Sequence, residues 1–226
     1  MLAQRLNATL QSLENAAKAA HRPAPRLLAV SKTQTATAVA SLASAGQRAF
    51  GENYVQEAQA KTRELGALGL EWHLIGHLQS NKADIAAVIF DWVQTVDRLK
   101  LVTALAGARP SQSEPLNVLI QVNIDDQASK HGCHPAEVEG LAAAIASQPR
   151  LALRGLMAIP APHPELELRR KAFRDMAALF QRLAGRHPSA DTLSMGMSDD
   201  FPLAIAEGAT MVRIGTALFG ARAVTP

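Results

Sequence analysis

Short apolar runs alternate with longer amphipathic segments along the chain. An uninterrupted apolar run of a few residues, rich in β-branched side chains, predicts a strand that is buried on both faces. None of these runs contains proline, which central strands exclude because proline lacks a backbone N–H. The eight predicted strands span residues 27–32, 48–53, 72–77, 91–96, 117–124, 151–159, 192–197 and 211–219.

Segments with an apolar period of about 3.6 residues fill the intervals between the predicted strands, as amphipathic helices do. These helices are predicted over residues 37–45, 54–65, 81–88, 98–106, 136–147, 165–184 and 199–206. A further helix is predicted ahead of the first strand, over residues 3–20, with one face formed by Leu6, Leu10, Leu13 and Ala17.

Four residues give signals for the start of a helix. Asp97 and Ser198 precede their helices as candidate N-caps, because their side chains can accept from the first free backbone N–H groups. Pro135 and Pro164 are expected in first turns, where a missing N–H costs nothing.

Strands that alternate with helices predict a parallel sheet, since parallel neighbours need a crossover connection. Eight such units match a closed (β/α)8 TIM barrel, of which most have about 250 residues. An open doubly wound sheet is the alternative, and it often carries a glycine-rich fingerprint. The chain has no Gly-x-Gly motif. Gly46 and Gly51 have the spacing of the two glycines in a phosphate-binding loop, but Glu52 follows where such a loop needs lysine. We therefore predict one barrel domain over residues 1–226, with an extra N-terminal helix.

Composition agrees with a globular protein: 226 residues, 48% hydrophobic and 19% charged, with a net charge of +3. These values exclude a disordered or collagen-like chain. The basic residues are scattered, which does not favour nucleic acid. A single cysteine, Cys133, allows no internal disulfide, and the polar interruptions near the N-terminus are unlike a signal peptide or membrane span. We expect a cytoplasmic protein, by default a monomer, with no membrane or nucleic-acid partner.

Lys32 is the first candidate for chemistry. Alternation along a strand puts Leu28, Val30 and Lys32 on one face. If that face lines the barrel, the amine of Lys32 stands on an apolar floor at the carboxyl end, where TIM-barrel active sites lie. Desolvation would lower its pKa and let it attack a carbonyl carbon. A surface lysine at the end of an edge strand is the alternative.

Two late segments are rich in small residues and hydrogen-bond donors. Gly196 and Ser198 follow the seventh predicted strand, and Gly215 and Thr216 interrupt the eighth, where Arg213 shares the barrel-facing parity. TIM barrels often bind a phosphate group beside strands seven and eight. These strands neighbour strand one in a closed barrel, so an amine beside a phosphate site suggests a phosphorylated aldehyde as ligand. Ordinary turn glycines and a capping serine are the alternative.

The chain resembles the YggS/PROSC family of pyridoxal phosphate homeostasis proteins from its first helix to Arg222. The segments that carry the resemblance are AVSKT at 29–33, FGENYVQE at 50–57, WHLIGHLQSNK at 72–82, RGLM at 154–157, MGMS at 195–198 and RIGT at 213–216. The resemblance implies a barrel of the alanine racemase N-terminal type and an intracellular carrier of pyridoxal 5'-phosphate that delivers this cofactor to apoenzymes.

The same resemblance implies specific roles for six residues. Lys32 would carry the cofactor as a Schiff base, while Ser198, Gly215 and Thr216 would hold the phosphate. Arg213 would lie near the pyridine nitrogen or the phosphate, and Asn53 would line the ring pocket. An arginine facing the ring nitrogen donates a hydrogen bond but supplies no carboxylate to keep that nitrogen protonated, so little catalysis is expected.

Three other functions stay open. A racemase resembling alanine racemase needs a second acid or base, in that family a tyrosine from a second domain, whereas the one tyrosine in this sequence is Tyr54. A Schiff-base lyase would use Lys32 with Glu52 or Asp199 as the acid or base. A plain binding protein would use Lys32 for an ionic contact alone.

Two groups of histidine and cysteine residues are spaced closely enough to suggest metal ligands, but no metal site is predicted from them. His73 and His77 have the spacing of a helical zinc pair yet fall in a predicted strand, which favours core or mouth-lining histidines. His131, Cys133 and His134 form a compact group after the fifth strand, and its crowding and the following proline favour an ordinary loop.

Overall fold

The computed structural model describes residues 1–127 and 130–220; Ala128, Ser129 and residues 221–226, with Arg222, lie outside the described part. Eight parallel strands close into a barrel in sequence order, with β1 paired to β8. The strands are β1 Arg26–Val30, β2 Ala49–Glu52, β3 Glu71–Leu74, β4 Trp92–Val96, β5 Leu116–Gln121, β6 Leu151–Met157, β7 Thr192–Ser194 and β8 Met211–Ile214. The predicted fold class is therefore confirmed, and all eight predicted strands exist.

In the described part of the chain, one α-helix precedes the first strand, seven connect successive strands, and a short one follows β8. They are α1 Leu2–Ala19, α2 Ala36–Ser44, α3 Val55–Leu65, α4 Ala83–Ile89, α5 Leu99–Ala108, α6 Val138–Ala146, α7 Leu166–Arg186, α8 Phe201–Ala206 and α9 Thr216–Phe219. Within the described residues, none of these helices combines the length and the apolar character needed to cross a bilayer.

The end of the eighth predicted strand is wrong. The apolar run 211–219 contains strand β8 only as far as Ile214, and after Gly215 the chain forms the short helix α9. A short apolar run is consistent with a buried strand or a buried helix, so periodicity could not separate the two.

Helix α1 packs against α2, α8 and α9, outside the barrel. Its buried residues are Leu6, Thr9, Leu13 and Ala17, whereas Leu10, predicted on the same face, is 41% exposed. The buried stripe is centred between the directions of Leu6 and Thr9, so Leu10 lies at its edge. The helix itself is confirmed, and the assignment of Leu10 to its buried face is wrong.

Three of the four predicted start signals are wrong. Asp97 does not cap α5, because its carboxylate accepts from the side chain of Arg98. Asp200, not Ser198, is the N-cap residue of α8, and Pro164 lies before Glu165, the N-cap residue of α7.

The fourth start signal, Pro135, does occupy a first turn. It opens a 3-10 turn that is capped by the His134 ring and leads into α6.

Two apolar layers surround the strands. The larger layer lies between the strands and the helices and includes Leu27 and Ala29 of β1. The barrel interior holds separate small clusters, one of which contains Leu28 with Ala49 and Met211. The alternation in β1 therefore points Leu28 into the barrel, as the sequence predicts.

The two leucines of α1 provide a matched test of its packing. Leu6→Ala should lower the free energy of unfolding by about 2–4 kcal/mol, because it opens a cavity at a side chain that is 1% exposed. Leu10→Ala should cost less than about 1 kcal/mol. Urea denaturation followed by circular dichroism measures both, and equal losses would contradict the packing described for α1.

Candidate functional site

The predicted site residues lie at or near the carboxyl ends of the strands. Lys32 follows β1, Asn53 follows β2, Ser198 follows β7, and Gly215 follows β8. Strands β1 and β8 are hydrogen-bonded neighbours, with Ala29 opposite Ile214. Barrel closure therefore brings segments that are about 180 residues apart in sequence to one point on the rim.

Lys32 shares a small cleft with Gly215 and Thr216. The cleft is also lined by Val30, Thr33, Gln34, Phe219 and Gly220. Lys32 is half-buried, and a Cβ atom added to Gly215 would lie 3.4 Å from Val30. The cleft thus combines a primary amine with the hydroxyl and backbone groups of a tight turn.

Arg213 lies inside the barrel and is 3% exposed. Its Nη1 donates to the carbonyl oxygen and to the Oγ of Ser194, each at 2.8 Å, and its Nη2 donates to the carbonyl oxygen of Ala158 at 2.8 Å. Burial lowers the pKa of Arg213 to about 10, which leaves the guanidinium charged at neutral pH. The structure therefore holds a fixed positive charge within the barrel, contributed by β8.

Ser198 and Asn53 line neither wall of the Lys32 cleft. Ser198 lies in the turn before α8, where Asp200 accepts from the backbone N–H of Met197. Gly196, in the same turn, has a φ of +91°, and a Cβ there would lie 2.6 Å from the Cβ of Ala204, so this glycine permits close packing against α8.

Asn53 lines a second cavity of about 350 Å³ with His77, Lys82 and others. Its floor depends on Gly76, because a Cβ there would lie 2.1 Å from the carbonyl oxygen of Asn53. The loops after β2 and β3 can approach this closely only with glycine at that position.

A buried ion pair supports the segment that carries Lys32, and sequence reasoning did not find it. Lys61 of α3 is 5% exposed, and its Nζ donates to Glu52 Oε1 at 2.7 Å and to the carbonyl oxygen of Ser31 at 2.7 Å. The hydroxyl of Ser31 donates to the same Glu52 oxygen at 2.5 Å. Ser31, the residue before Lys32, is therefore held in place by a side chain of α3.

The residue after Lys32 is held by the same helix. Thr33 has a φ of +63°, and its backbone N–H donates to Glu57 Oε1 at 2.5 Å. Glu57 in turn accepts from Lys61 at 2.8 Å. The i, i+4 spacing of Glu57 and Lys61 on a predicted helix was the available signal for this pair.

Glu52 carries a carboxylate in an unusual setting. Burial raises its pKa, while the hydrogen bonds from Lys61 and Ser31 act in the opposite direction. Its second oxygen, Oε2, is buried and makes no hydrogen bond to any residue that the structure describes. The carboxyl group contacts α3 behind the strand, so it does not supply the acid or base that a lyase acting at Lys32 would need.

His73 lies inside the barrel and His77 on its rim, so the two do not form a pair. Gln94 donates to His73 Nδ1 at 2.9 Å, which leaves Nε2 to carry the proton and donate to Glu71. Burial lowers the pKa of His73, and its ring stacks on Trp92. His73 is thus a buried neutral core histidine.

His131, Cys133 and His134 are close in sequence, but their side chains lie in different surroundings. Cys133 is buried, and burial raises its thiol pKa to about 12. His134 accepts from the backbone N–H of Ala136, whereas the His131 ring stacks on His77.

Comparison with known proteins agrees with this architecture. A family model described as "Alanine racemase, N-terminal domain" matches residues 4–223. The pyridoxal phosphate homeostasis protein of Escherichia coli K12 is 59% identical over 199 residues, 87% of this chain and 85% of that protein. The protein of the same name from Haemophilus influenzae is 52% identical over 223 residues, 96% of this chain and 94% of its own. This chain belongs to the pyridoxal phosphate homeostasis protein family.

Solved structures give the same result. The structure of PipY from Synechococcus elongatus PCC7942 with PLP bound has 36% sequence identity to this chain and a TM-score of 0.84. The match covers 97% of this chain and 100% of PipY. Alanine racemase from Corynebacterium glutamicum is 20% identical with a TM-score of 0.67, and the match covers 97% of this chain and 62% of that one. The racemase shares the fold alone.

Measurements of the free energy of unfolding can test the buried ion pair of Lys61 and Glu52. Lys61→Met should lower the free energy of unfolding by about 3 kcal/mol at pH 7, because it leaves the Glu52 carboxylate buried without a counterion. Adding Glu52→Gln should restore part of the loss. Lys171→Met is the control, since Lys171 pairs with Asp175 at 2.6 Å on an exposed helix face and should change stability by about 0.5 kcal/mol or less. Equal losses at Lys61 and Lys171 would contradict the structural role of the buried pair.

Glu71 predicts a specific acid sensitivity. Although burial opposes its ionisation, the hydrogen bond from His73 and the charge of Arg26 lower its pKa to about 2, against 4.5 for the free side chain. Because the folded pKa is the lower one, its contribution to stability is complete above pH 4.5 and is lost as the pH falls towards 2.

Glu71→Gln should therefore cost on the order of 2 kcal/mol at pH 6, an amount reduced for partial exposure, and progressively less below pH 4.5. Urea denaturation of both proteins at pH 6, 4 and 3 measures the difference. A difference that stays constant across this range would show that Glu71 is not ionised in the way described.

Proposed function

We propose that this protein holds pyridoxal 5'-phosphate as a Schiff base on Lys32 and buffers or delivers the cofactor in the cell, without substantial catalysis. The observation that carries the proposal is the cleft that Lys32 shares with Gly215 and Thr216. A primary amine is the group that condenses with an aldehyde, and a donor-rich turn is the group that binds phosphate. The names of the relatives and the PLP-bound PipY support the same ligand.

The residues around the cleft suit the cofactor. Val30 provides an apolar wall beside Lys32, while Thr216 offers a hydroxyl and Gly215 lets the backbone approach. Ser198, on the neighbouring β7 loop, would add a donor to the phosphate, and Asn53 would line the side of the ring. When bound, the cofactor would supply a reactive aldehyde for imine exchange with amines.

Arg213 favours carriage over catalysis. Its charge is held by acceptors on Ser194 and Ala158, so it presents only donors to whatever lies beside it. Next to the pyridine nitrogen, it would not keep that nitrogen protonated, and the cofactor would be a weak electron sink. We infer that the protein retains the cofactor chemically intact until an acceptor takes it.

The catalytic alternatives lack support from the described residues. Tyr54, the candidate second acid for a racemase, is 63% exposed at the start of α3. Glu52, a candidate for a lyase, is engaged with Lys61 and Ser31. A slow racemase-like side reaction is the second candidate function, favoured only by the shared fold.

The setting we propose for this activity is the cytoplasm, with the protein acting as a monomer and with PLP-dependent apoenzymes as its acceptors. A buried, protonated Cys133 suits a reducing compartment. Among the large apolar residues exposed on the surface, Leu10, Val88 and Leu99 belong to three different helices, and only Leu166 and Leu168 share one, α7, within the described residues.

The absorption spectrum of the purified protein with pyridoxal 5'-phosphate tests the attachment point. The wild type should develop the violet absorbance band of a Schiff base, and borohydride should fix one phosphopyridoxyl group on the peptide containing Lys32. Lys32→Ala should lose both signals. Lys82→Ala tests the other amine near the site, since Lys82 lines the Asn53 cavity but not the Lys32 cleft, and it should keep both the band and the labelled Lys32 peptide.

The other outcomes separate the alternatives. Loss of the band in Lys82→Ala with retention in Lys32→Ala would move the attachment to Lys82. Binding without a band would support a plain binding protein. Turnover of alanine enantiomers at rates typical of enzymes, about 1 s⁻¹ or faster, would overturn the assignment as a carrier.

A further inference from the structure

Three loops at the carboxyl end of the barrel bring together side chains that bind metals. His77 follows β3, Asp97 follows β4 and His131 follows β5. Each offers one ligand atom, and these three atoms lie within 4.8 Å of one another. The three residues, termed the rim cluster, are 20 to 54 positions apart in sequence, so only barrel closure makes them neighbours.

The two histidine rings of the rim cluster lie directly against each other. The His77 and His131 rings stack with centroids 3.8 Å apart and an interplanar angle of 16°. Imidazole is the commonest metal ligand among protein side chains, and this pair supplies two of the three ligand atoms of the rim cluster.

Asp97 is fixed in place by Arg98. The carboxylate is 10% exposed, and its Oδ1 accepts from Arg98 Nη1 at 2.5 Å. Arg98 is itself anchored, because its Nη2 donates to the carbonyl oxygen of Leu78 at 2.9 Å. A carboxylate ligand of a metal commonly has such an outer partner, which orients one oxygen and leaves the other for the ion. The positive charge of Arg98 repels a cation and therefore lowers the affinity of the rim cluster for a metal ion.

We propose that His77, Asp97 and His131 form a binding site for a divalent transition-metal ion, with Zn²⁺ the best match. Two imidazoles and one carboxylate are a common zinc ligand set, in which water completes a tetrahedron. Hard cations such as Mg²⁺ prefer more oxygen ligands than this cluster offers.

Binding requires a small rearrangement of exposed side chains. Tetrahedral coordination at about 2.0–2.1 Å puts ligand atoms roughly 3.3 Å apart, closer than the 4.8 Å limit that contains the present cluster. The two rings must also turn out of their stack, because a metal lies in the plane of each ring that binds it. Both histidines are exposed, so rotation about their side-chain bonds is not blocked by a packed core.

An ion at this site would tie the loop after β5 to the loops after β3 and β4. His77 also lines the cavity of Asn53, so the tie would lie beside the proposed ring pocket. The proposal does not rest on the function proposed above, because its residues and its readout are separate from Lys32.

Calorimetric titration of Zn²⁺ into the full-length, untagged, chelator-treated protein tests the site. The wild type should bind one equivalent, and His77→Ala and His131→Ala should each weaken binding about tenfold or more. His134→Asn is the matched control. It removes a second exposed histidine of the same loop, while asparagine retains the ability to cap the following turn.

Co²⁺ titrated into the same proteins gives a spectroscopic check, because tetrahedral coordination produces strong visible bands that octahedral aqueous Co²⁺ lacks. These bands should appear in the wild type and in His134→Asn and be absent from His131→Ala. The proposal is overturned if the wild type binds no Zn²⁺, or if binding survives both alanine variants. It is equally overturned if His134→Asn abolishes binding while His77→Ala does not.

Discussion

Pairing of β1 with β8 is the constraint on which the remaining structure depends. This parallel ladder aligns Arg26 with Met211 and Ala29 with Ile214. The loops that contain Lys32 and Gly215 therefore leave the sheet at the same end. Although they are far apart in sequence, they line one cleft. A one-residue slip in register would turn every side chain of β1 to the other face and move Leu28 out of the barrel interior.

The barrel uses its two ends differently. Near the amino end, Arg26, Glu71 and His73 form hydrogen-bonded contacts that extend into the interior through Gln94. These groups are satisfied by one another and contribute to stability. At the carboxyl end, Lys32 and the rim cluster face clefts or solvent, as expected for groups that bind ligands.

Two lysines illustrate how position decides chemistry. Lys61 is buried and hydrogen-bonded to Glu52, Glu57 and Ser31, so its charge is used to hold the chain in place. Lys32 is half-buried on the cleft, and its segment is held on both sides by these contacts. For the proposed role of Lys32, a fixed backbone is favourable, because less ordering is then required on binding. The side chains behind the barrel wall thus hold the segment that lines the Lys32 cleft.

The sequence by itself determined the order of the strands and the closed barrel, because alternation and periodicity report which face of each element is buried. Its motifs indicated the family, and alternation in β1 made Lys32 the leading candidate for the proposed attachment. It could not reveal the pairing of Lys61 with Glu52 and Ser31, nor the separation of Cys133 and His134 from His131. It also misplaced Leu10 and extended β8 through α9. Those features were decided by the tertiary structure, since strand register and loop paths determine which distant side chains meet, and local patterns carry no information about either.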